Sequence, residues 1–243
     1  MLRLNPEESV FHLHYVIAQA KKQGCSYYEP AREEVGLVES ILGKNALCIP
    51  TSNRSIRIAA LDAAYASMGL QGRPAKSYLL SGPNSVKARK RAKIVCAEAM
   101  SILRKRRPKQ GNKMRVLNVG VVGSFLSSLG RRSELTVAAS DYYQGIVDRR
   151  IHGVHVESGG KTLRLLPKMD LAIVTGMTLA NNTLDGILRI ARKHDTAIVL
   201  FAQTGSHFAS EYCRMGIDVV VSEPFPFYLT CAGDTHLHVY RRK

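Results

Sequence analysis

The chain has 243 residues, of which 45% are hydrophobic and 22% are charged, and its formal net charge is +16. This composition is too apolar for a disordered chain and supplies enough apolar residues for one or two packed domains. Apolar runs such as residues 116–122 are far shorter than the roughly 18 residues that a membrane-spanning helix requires. We therefore expect a folded protein without a membrane span.

The first residues and the cysteines indicate in which cellular compartment the protein is found. The N-terminal stretch has one arginine but neither an apolar segment nor a small-residue cleavage motif, so it does not match a secretory signal. Five cysteines stand at wide, irregular spacing without a CxxC pair. That pattern favours reduced, mostly buried thiols. We expect a cytoplasmic protein.

Helical periodicity dominates the N-terminal half. Apolar residues recur every three or four positions in four segments, which are residues 6–24, 31–42, 54–68 and 85–107. This spacing predicts amphipathic helices. Pro108 and the polar residues after it break the last helix, which places a domain boundary near residue 112. The predicted division is a mostly helical cap at 1–112 and a second domain at 113–243.

After that boundary, short apolar runs alternate with helical periods. The predicted strands are residues 115–122, 134–140, 171–174, 197–201 and 219–221, and the predicted helices between them are 179–193 and 206–215. A last strand at 236–240 is expected to lie antiparallel at a sheet edge. The alternation predicts an α/β fold, a Rossmann-like (methyltransferase-like) and mainly parallel sheet flanked by helices, with an N-terminal helical extension.

A glycine-containing turn follows the first strand of this domain. It includes Gly120, Gly123, Ser124 and Phe125, at the position where a ligand approaches the backbone in Rossmann domains. Asp141 ends the second strand about twenty residues later, where such domains place a carboxylate for ribose hydroxyls. The alternative for this aspartate is a turn cap. The neighbouring Tyr142 either stacks on a base or covers the sheet.

Polar residues also follow the later strands. Because ligands bind over the carboxyl ends of strands in open α/β sheets, these residues are candidates for cofactor and substrate contacts. The cofactor candidates after the third strand are Thr175, Gly176, Thr178, Asn181 and Asn182, with a helix N-cap as the alternative use. The substrate candidates after the fourth and fifth strands are Gln203, Ser206, His207, Glu223 and Tyr228.

Two further features suggest other ligands. His236 and His238 are two residues apart on a predicted strand, so their side chains share a face and form a candidate metal pair. Residues 87–115 contain twelve Lys or Arg residues against Glu98 alone, a net charge of +11. Such a segment attracts nucleic acid or other anions, or it is a solvated helix face, which is the interpretation we favour.

The motifs together resemble a known family. VGVVGSF at 119–125, an acidic residue after the second strand and LLPKMDLAIVTGMTLANNTLDGILRIA at 165–191 resemble the Rossmann-like family of unknown function named for heavy-metal chelation. The resemblance spans about residues 114–225 and implies a ligand cleft between that domain and an N-terminal domain, with metal chelation proposed. The family's N-terminal strands are not recognisable here, although residues 55–68 resemble its preceding helix. Asp141 replaces the usual glutamate.

The expected topology also looks like class I methyltransferases, and the helical extension is similar to nicotianamine synthases. This resemblance implies S-adenosylmethionine, or a related nucleoside cofactor, on the glycine turn. We therefore hypothesise an enzyme that transfers a methyl or aminocarboxypropyl group to a small molecule in the biosynthesis of metabolites or metallophores. The alternatives are a non-catalytic protein that binds a metal ion or metal chelate, and a nucleic-acid-binding protein. A homo-oligomer is compatible with each.

Overall fold

A nine-stranded sheet runs through the centre of the molecule. The computed structural model describes residues 15–19, 21–27, 52–109, 111–227 and 233–242. In sheet order the strands are β3, β11, β10, β9, β8, β4, β5, β7 and β6. Their bounds are β3 Lys76–Leu80, β4 Met114–Val119, β5 Leu135–Asp141, β6 Arg150–Ile151, β7 Val154–Ser158, β8 Leu171–Thr175, β9 Ala197–Ala202, β10 Val219–Ser222 and β11 Thr235–Arg241.

Six consecutive strands of the sheet pair in parallel, in the order β7, β5, β4, β8, β9 and β10. Strand β6 is antiparallel to β7, and β11 is antiparallel to β10. All residues of β8, β9 and β10 are buried, as expected for strands covered on both faces. The structure therefore has a mixed α/β fold with a mainly parallel sheet flanked by helices.

Helices cover the two faces of this sheet. The helix bounds are α1 Arg54–Met68, α2 Asn84–Leu103, α3 Gly123–Gly130, α4 Thr162–Leu165, α5 Met177–Ala180, α6 Leu184–Lys193 and α7 Ala209–Arg214. Helices α2 and α3 pack on one face through residues such as Val95 and Phe125. Helices α6 and α7 pack on the other through Ile187 and Tyr212. Alternate residues of each buried strand supply the two cores.

Helix α1 confirms the helix predicted at 54–68. The Asn53 side chain accepts a hydrogen bond from the Ile56 amide at 3.0 Å and caps its first turn. Gly69 ends it in the left-handed conformation at φ 69°, which favours glycine because other residues carry a Cβ. The helix predicted at 85–107 corresponds to α2, and the helix predicted at 31–42 lies outside the described residues.

The helix predicted at 6–24 is wrong where the structure describes it. Strands β1 (Tyr15–Gln19) and β2 (Gln23–Tyr27) form an antiparallel hairpin instead. The β-branched and aromatic residues at 15–17 suit a strand. The hairpin packs on α1 so closely that a Cβ on Gly24 would lie 2.1 Å from the Ala63 nitrogen. Packing against α1 therefore overrides the three-and-four spacing.

The sheet also extends beyond the sequence prediction at both edges. The last strand is antiparallel as expected, but it is not at the edge, because β3 pairs with it on the outer side. Strands β6 and β7 were not predicted. Strand β3 and helix α2 precede residue 112 yet belong to the layers of the large sheet, so the chain on either side of that position shares one core. None of the helices in the described ranges combines the length and apolarity needed to cross a membrane.

Candidate functional site

The loops that follow the parallel strands lie along one edge of the sheet, here called the carboxyl edge. Starting from β4, the chain adds β5 and β7 on one side and β8, β9 and β10 on the other. The loops that leave β4 and β8 therefore diverge to opposite faces of the sheet, which is the position where open α/β sheets form a crevice. Ligands of open α/β sheets bind at such a point.

The turn after β4 is built around Gly120. Its φ of 75° is left-handed, and a Cβ on this residue would lie 2.1 Å from Thr175 Oγ1. Both the backbone conformation and the space thus require glycine. Asn118, which is fully buried, fixes the turn: its Oδ1 accepts from the Val122 amide at 3.1 Å, and its Nδ2 donates to the Gly120 carbonyl at 3.1 Å. The sequence prediction missed Asn118.

Asp141 holds the same turn from the neighbouring strand. Its Oδ2 accepts from the Val121 amide at 2.6 Å, and its Oδ1 accepts from the Tyr143 amide at 2.9 Å. This is the turn-capping arrangement, and each carboxylate oxygen retains a further lone pair. The ring of Tyr142 is 54% exposed and lies against Gly159, so that a Cβ on this glycine would be 2.6 Å from Tyr142 Cδ2.

Thr175 closes the crevice from the β8 side. The residue is 5% exposed, and within the described part of the chain its hydroxyl has no hydrogen-bond partner. Two polar side chains of this segment bond within it: Thr178 Oγ1 donates to the Thr175 carbonyl at 2.8 Å, and Asn181 Oδ1 accepts from Thr183 at 2.7 Å. Gly176 is packed against Thr204, whereas Asn182 is exposed.

Helix α3 begins at the glycine turn. Gly123 and Ser124 form its first turn, and the N-cap Val122 makes no side-chain capping bond to the described residues. The first amides therefore lack the usual cap. Phe125 is different, because its ring is fully buried and lies edge-on to Phe201 at 5.3 Å. Its side chain belongs to the core and cannot contact a ligand in the crevice.

Glu223 and Gln203 belong to a buried polar network. Glu223 is fully buried and accepts from Arg91 of α2 through Nε at 2.6 Å and Nη2 at 2.5 Å. It also accepts from Gln203 at 2.8 Å and from Thr235 at 3.1 Å. These bonds tie α2 to β10 and β11. The carboxylate is therefore occupied, and Tyr228 lies outside the described residues.

Ser206 and His207 meet a carboxylate of the N-terminal half. Asp62 of α1 is fully buried, and its Oδ1 accepts from the His207 amide at 2.7 Å. Its Oδ2 accepts from the Cys25 amide of β2 at 3.1 Å. The sequence prediction missed Asp62, although an aspartate among the alanines of an apolar helix face is an identifiable signal. Asp62 brings α1 and the hairpin to the carboxyl edge.

His236 and His238 do share a face, with ring centroids 6.1 Å apart in a stacked arrangement. His238 Nδ1 lies 2.9 Å from Ser77 Oγ of β3. Burial lowers the pKa of His238, and His236 and His207 lower it further. Over the ranges that the structure covers, no three His, Cys, Asp or Glu side chains are grouped to hold a metal ion.

The basic segment is not a single exposed face. Lys87 and Arg91 are buried, and Lys87 donates to the Gly233 carbonyl at 3.0 Å. Arg106 pairs with Asp195 at 3.0 Å. The remaining exposed charges are split between the outer face of α2 and the turn that precedes β4.

Comparisons with known proteins agree with this fold. A model of the family DUF364, described as "Putative heavy-metal chelation", matches residues 109–222. No curated protein matches the sequence. A DUF364 protein of unknown function from Pyrococcus horikoshii is 14% identical with a TM-score of 0.56, over 96% of this chain and 90% of that one. A second, from Desulfitobacterium hafniense, is 15% identical with a TM-score of 0.57, over 89% and 85%.

Proposed function

We propose that this protein, whose residues 109–222 match the DUF364 family, is a small-molecule enzyme with a Rossmann-like site for a nucleoside cofactor. The cofactor we propose is S-adenosylmethionine or a close relative, bound in the crevice between β4 and β8. When bound, it would supply an electrophilic methyl or aminocarboxypropyl carbon for transfer. The strand order on either side of β4 supports this location.

The observation that carries the proposal is the hydroxyl of Thr175. Leaving a buried hydroxyl without a partner costs free energy, and most buried polar side chains do have one. This hydroxyl lies beside Gly120, at the point where the glycine turn and the segment after β8 meet. A ligand oxygen or amine in the crevice would satisfy it.

Neighbouring groups fit the same ligand. The uncapped first turn of α3, at Gly123 and Ser124, offers amide donors and a positive helix end to a carboxylate. Asp141 fixes the turn and keeps lone pairs for a ribose hydroxyl. The exposed ring of Tyr142 is available for stacking on an adenine.

The test is calorimetric titration of the purified chain with S-adenosylmethionine and S-adenosylhomocysteine, using Thr175→Val and a control, Thr136→Val, which changes an exposed residue of β5. Thr175→Val should weaken binding roughly threefold to tenfold, because a hydrogen bond contributes about 0.5–1.5 kcal/mol. It should leave the free energy of unfolding unchanged or raised, since no bond within the protein is lost. Thr136→Val should bind like the wild type.

Two results would contradict the proposal. One is the absence of binding heat for either nucleoside with the wild-type chain at millimolar concentration. The other is equal affinity in wild type and Thr175→Val. If zinc or nickel gives heat where the nucleosides do not, the non-catalytic chelation alternative replaces the enzyme.

A further inference from the structure

We propose that His207, oriented by Asp62, forms a second binding site together with Lys21 and Lys22, and that this site takes a small metabolite bearing a carboxylate or phosphate group. The site does not depend on the cofactor proposal, because it shares no residue with the Gly120 turn. It lies at the carboxyl edge where the N-terminal hairpin meets the loop after β9.

The first step is the orientation of the imidazole. His207 Nδ1 lies 3.2 Å from Asp62 Oδ1 and 3.3 Å from Ser206 Oγ, and the Asp62 carboxylate is fully buried. A carboxylate beside one ring nitrogen fixes the orientation of the ring and its tautomer. His207 is also one of the residues that line a cavity, and we assign its other nitrogen, Nε2, to the ligand.

The second step is the rigidity of the pair. The His207 amide and the Cys25 amide both donate to Asp62, so the carboxylate joins the β9 loop to β2. The Ser206 carbonyl accepts from Ser222 Oγ of β10 at 2.7 Å, and Ser222 is buried. Side chains held in this way present a fixed geometry, as binding and catalytic groups require.

The third step is the space in front of the imidazole. His207 lines an open cavity of about 360 Å³ together with Lys21, Lys22, Gln23 and Phe225. This volume falls within the usual range for metabolite pockets. Lys21 and Lys22 are exposed at the turn of the hairpin, and Phe225 supplies an apolar wall. Two ammonium groups and an imidazole around one cavity select an anion.

The surrounding charges agree with an anionic ligand. His238 of β11 is close enough to His207 for the two rings to interact, and His207 contributes to the lowered pKa of His238. The Asp62 carboxylate contacts His207 at Nδ1, and Asp62 is not among the residues that line the cavity. Tyr212 of α7 lies near Asp62 and is fully buried.

The experiment follows the His207 ring nitrogens by long-range ¹H–¹⁵N NMR while the full chain is titrated with inorganic phosphate, and in a second arm with acetate. We expect a saturable shift of Nε2 with at least one of the two anions. The variant Lys21→Gln/Lys22→Gln should weaken that binding at least fivefold. The matched control Lys105→Gln/Lys113→Gln removes two exposed charges elsewhere and should stay within twofold of wild type.

A shift with phosphate alone assigns a phosphorylated metabolite, and a shift with acetate alone assigns a carboxylate. Absence of any shift overturns the proposal, as does equal weakening in both double variants, which would indicate long-range attraction only. Failure to bind S-adenosylmethionine leaves these outcomes unchanged. The lysine variants lie on an exposed turn, so the test does not rest on a variant of buried Asp62.

Discussion

Aspartate carboxylates connect separate segments at both ends of the strands. Asp141 holds the glycine turn, Asp62 joins the hairpin to the β9 loop, and Asp170 accepts from the Lys109 and Arg115 amides. The sequence identified the position of Asp141 from its spacing, but it could not decide between capping and ribose binding. That choice depends on which amides the fold brings to the carboxylate. Asp62 was missed because its partners are remote in sequence, and Asn118 was missed because its partners are backbone groups of the turn, which residue types do not reveal.

A pH prediction follows from His238. Burial first, and then the neighbouring His236 and His207, lower its pKa from the ordinary 6.5. As the pH falls, the unfolded chain therefore takes up a proton at this histidine before the folded chain does. The contribution of the neutral His238 to the free energy of unfolding is present above pH 6.5 and is lost as the pH falls through the lowered pKa. We expect the free energy of unfolding, measured in urea between pH 7.5 and pH 5, to fall less in His238→Gln than in wild type.

The control is His194→Gln, at the end of α6 and away from the stacked histidines. It should follow the wild-type pH dependence. If His238→Gln loses as much stability on acidification as wild type, His238 does not carry the effect.

Among the elements, those that are buried on both faces were predictable. Strands β8 to β10 are continuous apolar runs, so their place in the middle of a parallel sheet follows from composition. Strand β3 is largely exposed, and β6 has two residues, so neither shows a strand pattern in the sequence. The sequence at 15–27 fits either a helical or a strand periodicity, and only its contact with α1 decides that it forms a hairpin. For the same reason, the histidine cavity could not be predicted from the chain.

The contact between hairpin and helix gives an element-scale prediction. Gly24→Ala should lower the free energy of unfolding by about 1–3 kcal/mol, because the new methyl group meets backbone atoms of Ala59 and Ala63 that cannot move aside. The matched control is Gly160→Ala, where the nearest atom is Ser158 Oγ at 3.8 Å. It should change stability by at most about 0.5 kcal/mol.

Urea unfolding monitored by circular dichroism measures both variants. Equal stability of Gly24→Ala and wild type would show that the hairpin does not pack against α1 in solution. In that case the cavity bordered by Lys21 and Lys22 would also lose its support.

At the scale of the whole molecule, three cysteines report on opening of the fold. Burial raises the pKa of Cys25 to about 12, with a further contribution from Asp62, and it raises those of Cys96 and Cys213 to about 11. The thiolate is the reactive form. We expect iodoacetamide at pH 8 to label these three residues slowly in the native protein and fully in urea, as measured by peptide mass spectrometry.

The three cysteines lie in the hairpin, in α2 and in α7, so they sample different parts of the structure. Native labelling of one as fast as in urea would show that its element opens independently. Similar slow rates for all three would indicate one cooperative unit.

The described contacts of the N-terminal half with the carboxyl edge have a consequence for biosynthesis. The Tyr27 amide donates to Thr204, 177 residues later, and His207 follows Asp62 by 145 residues. Strand β3 pairs with β11, which begins at Thr235. On a ribosome, the early segments are therefore made well before their partners emerge, and pairing of remote segments is slow because a long loop must close. We expect the cavity around His207 to form late, after the parallel strands that support it have been synthesised.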